Sequence, residues 1–78
     1  MERENFENTV AAFMQRQPFH PFTIELVSGR LFEVDSPVAL HFRAGVAVHI
    51  SPGGAMAIFD YWTVAGVHGD LADILKQG

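Results

Sequence analysis

Phe22-Thr23-Ile24-Glu25-Leu26-Val27-Ser28-Gly29-Arg30-Leu31-Phe32-Glu33-Val34 is the stretch on which the fold turns. Phe22, Ile24 and Leu26 alternate with Thr23, Glu25 and Val27, and beyond Ser28-Gly29 the pair Phe32 and Val34 alternates with Leu31 and Glu33. A period of two on both sides of a glycine turn is a β-hairpin with one apolar face. Its register follows from the rule that directly opposed residues share a face. A two-residue Ser28-Gly29 loop would set Ile24 against Glu33, whereas a three-residue Val27-Ser28-Gly29 loop sets Ile24 against Phe32 and Phe22 against Val34. The three-residue loop is therefore predicted, with Gly29 at the left-handed third position of a type I turn with a G1 bulge.

Downstream, Asp35-Ser36-Pro37 makes a turn. Val38, Leu40 and Phe42 then alternate with Ala39, His41 and Arg43, and after Ala44-Gly45 the series continues as Val46, Val48 and Ile50. The same device is predicted here: an Arg43-Ala44-Gly45 loop opposing Phe42 to Val46, Leu40 to Val48 and Val38 to Ile50, with Gly45 left-handed. Ser51-Pro52-Gly53-Gly54 is a turn with Gly53 suited to the centre of a type II geometry, and Met56 and Ile58 continue a strand inward after it. Asp60-Tyr61-Trp62 breaks that strand. Thr63 to His68 forms a short last strand with Val64 or Val67 inward, and Leu71, Ile74 and Leu75 suggest a closing helical turn.

Upstream, Phe6, Val10, Phe13 and Met14 form one helical stripe, with Glu2, Glu4 and Glu7 in the early turns where the helix dipole favours anions. Pro18 disfavours helical geometry at Gln17, and Pro21 keeps the connector extended. The expectation is a single domain over residues 1–78 of class α+β, mainly β. A helix over about 4–16 leads into a five-stranded antiparallel meander or small barrel. The strands fall at about 22–27, 30–35, 38–43, 46–50 and 55–60, with a short last strand at 63–68.

Composition narrows the function classes. A domain of this size buries only about 60% of its unfolded surface, yet 49% of the residues are apolar and seven are Phe. Some apolar surface is expected to meet a partner. There is no cysteine, so disulfide staples and thiolate metal clusters are excluded, and oligomerisation is the remaining common support for a small core. The charged start and the lack of a long apolar run point to a cytoplasmic protein without a membrane span. Nine acidic against five basic residues, a net charge of −4, count against a phosphate-binding surface.

Pro18-Phe19-His20-Pro21-Phe22-Thr23-Ile24-Glu25-Leu26, followed by Gly29-Arg30, Glu33-Val34 and Pro37, resembles a group of short uncharacterised bacterial proteins. In these a helix precedes a PFxPFxIxLxxGRxFEVxxP stretch. The resemblance covers roughly the first half of the chain and implies a small barrel with no assigned activity. The order of helix and strands, with an early Leu26-x-x-Gly29-Arg30 hairpin, also looks like the Sm/SH3-like small barrels. That class includes RNA-binding rings with an Arg-Gly near the last strands; the corresponding Val64-Ala65-Gly66-Val67 here lacks the arginine.

For chemistry, the inferred register makes His41 and His49 diagonal neighbours on one outward face, two imidazoles that would need a third ligand to hold a metal. No acid/base pair, activated nucleophile or phosphate-cradling loop is evident, and Glu25 and Glu33 form a solvated carboxylate face, so neither an enzyme nor a cofactor is expected. On the same register Ala39, Ala47, Ala57, Leu31 and Phe59 face outward on strands without a lysine to guard an edge. Either the helix and C-terminal turn cover this surface, or it is a self-assembly face with Leu31, Phe59, Tyr61 and Trp62 as anchors. The leading expectation is a homo-oligomer acting through protein interaction. The alternative is an Sm-like nucleic-acid binder using Arg30 and Arg43.

Overall fold

A computed structural model describes residues 1–69. The chain forms helix α1 (Arg3–Met14), strands β1 (Phe22–Leu26), β2 (Leu31–Val34), β3 (Leu40–Arg43), β4 (Val46–Ile50) and β5 (Met56–Asp60), a 3-10 turn (Tyr61–Thr63), and β6 (Val64–Gly69). The closing helical turn expected at Leu71, Ile74 and Leu75 lies outside the described residues.

α1 buries Phe6 and Val10 completely and packs Phe13 and Met14 against the core, as the stripe requires. It ends earlier than the expected Arg16. Gln15 N–H still reaches the Ala11 carbonyl at 3.0 Å, but Arg16 N–H tightens onto Phe13, one residue nearer than an α-turn allows. Phe13 stacks on Phe22 at 5.0 Å, and Phe6 meets the edge of Phe42 at 6.3 Å, so α1 bridges the first and third strands. The Met1 ammonium donates to the Val64 carbonyl at 2.7 Å and ties the helix start to β6.

The strands form two three-stranded antiparallel sheets, β2–β1–β6 and β3–β4–β5, rather than one five-stranded meander or a closed barrel. Between β2 and β3, Asp35-Ser36-Pro37 carries the chain from one sheet to the other. The last strand returns to pair with β1, setting Ile24 beside Val67 and Phe22 beside Gly69.

The first hairpin has the predicted register, Ile24 opposite Phe32 and Phe22 opposite Val34. Leu26 N–H donates to Arg30 O at 2.8 Å, Gly29 N–H donates to Leu26 O at 2.9 Å, and Gly29 has φ 92°. An equivalent loop recurs at the β4–β5 turn. Ser51 N–H donates to Ala55 O and Gly54 N–H to Ser51 O, and it is Gly54 (φ 88°), not Gly53, that is left-handed.

The second hairpin differs from its expected register by one residue. Leu40 opposes His49, Phe42 opposes Ala47, and Arg43 opposes Val46. The loop is the two-residue Ala44-Gly45 turn, with φ 53° and 80°, the left-handed pair that a type I′ turn demands. Two contacts hold it in spite of the alanine. The Gly45 N–H donates to Glu7 Oε2 at 2.8 Å, and the Tyr61 ring lies where a Gly45 side chain would be. A one-residue slip leaves Leu40 and Phe42 of β3 inward as expected and exchanges the two faces of β4 and β5. Ala39, Ala47 and Phe59, expected outside, are buried, whereas Val38, Val46, Met56 and Ile58, expected inside, are exposed.

The reason is volume. Phe59 stacks on Phe32 at 5.1 Å, its cross-strand neighbour is Ala47, and Phe6, Phe22 and Ile24 fill the same interior. Large aromatic rings facing alanine pack to the density that a row of valines and phenylalanines on one side would exceed.

Candidate interaction surface

The outer face of the β3–β4–β5 sheet is read from its register. One rung is Arg43, Val46 and Asp60; the next is His41, Val48 and Ile58; a third pairs Ile50 with Met56. Ile58 and Met56 are 69% and 67% exposed. Val38, whose carbonyl lies 3.2 Å from His41 Nε2, adds another exposed apolar side chain beside the second rung. A shallow depression of about 290 Å³, lined by His41, Phe42, Arg43, Val46 and Val48, opens on this side. Exposing a contiguous set of β-branched and long aliphatic side chains costs hydration free energy, and such patches mark places where another surface docks.

The other sheet provides an internal control. Its outer face carries Thr23, Glu25, Glu33 and His68, with Leu31 the one large apolar side chain on its described strands and Val27 exposed in the adjoining loop. There His68 Nε2 lies 3.0 Å from Glu25 Oε1. That chemistry suits water.

The expected anchors divide. Leu31 is exposed on the polar outer face, and Trp62 is 64% exposed in the 3-10 turn. Tyr61 is half-buried against Gly45. Phe59 is a core residue and cannot reach a partner. Arg30 holds its guanidinium 4.6 Å over the Phe32 ring beside β2, while Arg43 stands on the outer face of the opposite sheet.

The histidines do not share a face. His41 is exposed on the outer side of β3, whereas His49 is buried on the inner side of β4, against Phe32, with Nε2 2.8 Å from the Glu33 carbonyl. That bond joins the two sheets. The expected His41/His49 pair is a casualty of the same one-residue slip, and among the described residues no group of three His, Asp or Glu side chains gathers as metal ligands.

A second groove of about 280 Å³ runs between β2 and the start of β5 and contains Arg30, Glu33, His49 and Ser51. Three of these are engaged within the fold: Arg30 on Phe32, His49 on the Glu33 carbonyl, and Ser51 Oγ accepting from Ala55 N–H at 3.1 Å. The apolar sheet face is therefore the stronger site.

Sequence reasoning missed Val46, Val48, Ile50, Met56, Ile58 and Asp60 as a solvent face. The available signal was Phe59, the largest residue of its strand, out of phase with Met56 and Ile58. Burying it forces the aliphatic residues outward. Among the described residues no helix is long and apolar enough to cross a membrane. Set against protein-family models, curated proteins and solved structures, the chain finds no match in any of the three.

Proposed function

We propose that this chain is a non-enzymatic protein that homo-oligomerises and acts through protein interaction, using the outer face of β3–β4–β5. The observation that carries the reading is the contrast between the two outer faces: aliphatic side chains on one sheet occupy positions that the other fills with Thr23, Glu25, Glu33 and His68. Burying exposed Ile58, Met56 and Val46 against an apolar partner gains roughly 25 cal/mol per Å² removed from water.

Sedimentation velocity at micromolar to sub-millimolar concentration tests the reading. The expected mass exceeds the 8.6 kDa of one chain, Ile58→Asp returns it to the monomer, and Leu31→Asp on the polar outer face leaves it unchanged. A wild-type monomer throughout that range, or equal effects of the two substitutions, refutes it.

A further inference from the structure

We propose, building on that reading, that the face docks on a second copy of itself about a two-fold axis running along β4, so that Arg43 of each copy pairs with Asp60 of the other. The warrant is the first rung. Arg43 and Asp60 lie on opposite flanks of Val46, each one strand away and on the same outer face. Among the described residues neither side chain has an ion-pair partner.

A half-turn about an axis along the central strand exchanges left with right and keeps height. It therefore lays the arginine flank of one copy over the aspartate flank of the other, twice, and stacks Val46, Val48 and Ile50 on their own symmetry mates. His41 falls over the second copy's Ile58 on the next rung. Aligned sheets pack about 10 Å apart, a gap that an arginine and an aspartate reaching toward each other can close.

The other in-plane axis, across the strands, lays the charged rung over the Ile50–Met56 rung and leaves both charges without counter-ions against apolar side chains, which is costly. An unrelated partner would have to supply an acid and a base at the same separation in reverse order. A second copy supplies both by symmetry, because an isologous interface presents one patch to itself.

Charge reversal tests the arrangement, with thermal melts confirming that each variant is folded. Arg43→Asp sets acid against acid at both flanks, and Asp60→Arg sets base against base. Like charges juxtaposed in an interface weaken association by about a hundredfold or more, so each variant alone should sediment as a monomer where wild type does not. An equimolar mixture of the two should recover the dimer, since every flank then faces its opposite, and so should the Arg43→Asp/Asp60→Arg double variant. If Ile58→Asp dissociates the wild-type assembly but the mixture stays monomeric, or the single reversals dimerise like wild type, this arrangement is wrong while self-association by the face stands. A wild-type monomer overturns both.

Discussion

The outer face of β2–β1–β6 carries Thr23, Glu25, Glu33 and His68 around Leu31, whereas that of β3–β4–β5 carries Val46, Val48, Ile50, Met56 and Ile58 beside Arg43, His41 and Asp60. Inside, both sheets are alike in kind, each contributing aromatic or aliphatic side chains to a shared core. The difference begins in the turns. A three-residue loop with Gly29 places the largest side chains of β1 and β2 inward, whereas the two-residue Ala44-Gly45 loop turns the valines of β4 outward and its alanine and histidine inward. One residue of loop length thus decides whether a sheet shows water a polar or an apolar side.

The sharpest way to break this contrast is to substitute neighbours in β5. Phe59→Ala removes a ring stacked between Phe32 and the interior and should cost about 3–5 kcal/mol. Ile58→Ala, one residue earlier and exposed, should change monomer stability by less than about 0.5 kcal/mol. Urea melts of the dilute monomer separate the two outcomes. The reverse ranking would restore the three-residue register and remove the apolar face.

The two turn glycines give the next largest effect. Gly29 and Gly45 are both left-handed, and a Cβ on Gly29 would meet nothing within 4 Å, whereas one on Gly45 would lie 2.7 Å from Tyr61 Cδ1. Gly29→Ala should cost about 1 kcal/mol in backbone strain alone. Gly45→Ala adds displacement of the Tyr61 ring and should cost roughly 2–4 kcal/mol. Equal costs would mean that the Tyr61 contact does not constrain the second turn.

The histidines come third. His49→Ala opens a cavity beside Phe32 and removes the donor to the Glu33 carbonyl, for about 2 kcal/mol. His41→Ala, on the exposed face, should stay within about 0.5 kcal/mol. Were the two substitutions equivalent in thermal melts, both imidazoles would share one environment, as the three-residue Arg43-Ala44-Gly45 loop requires.

These pairs also show what the sequence makes legible. The first hairpin could be read in full because Glu33 and Thr23 alternate with aromatic and aliphatic neighbours, so that only one register keeps carboxylates out of the core. In β4 and β5 both phases are free of Asp, Glu, Lys and Arg before Asp60, and binary patterning cannot tell inside from outside. There the choice falls to volume, Ala47 opposite Phe59, and to Glu7 and Tyr61 holding a turn from distant parts of the chain. Such tertiary contacts have no local signature. The return of β6 to β1 was hidden for the same reason, since Val64 and Val67 disclose burial without naming a neighbour.

The smallest effect bears on the origin of the contrast most directly. Ala44 occupies the first central position of the β3–β4 turn with φ 53°, where an alanine is strained and an asparagine is tolerated through its short polar side chain. Ala44→Asn creates the Asn-Gly pair that type I′ turns favour, and since Ala44 is exposed nothing in the core opposes the change. The expected gain is about 1 kcal/mol, or some 4–8 °C in Tm for a domain this small. In a three-residue loop Ala44 would instead sit in right-handed geometry, where asparagine brings no such advantage and the melting temperature would not rise. The sign of that shift therefore reports which loop the hairpin uses, and with it which face of the sheet meets solvent.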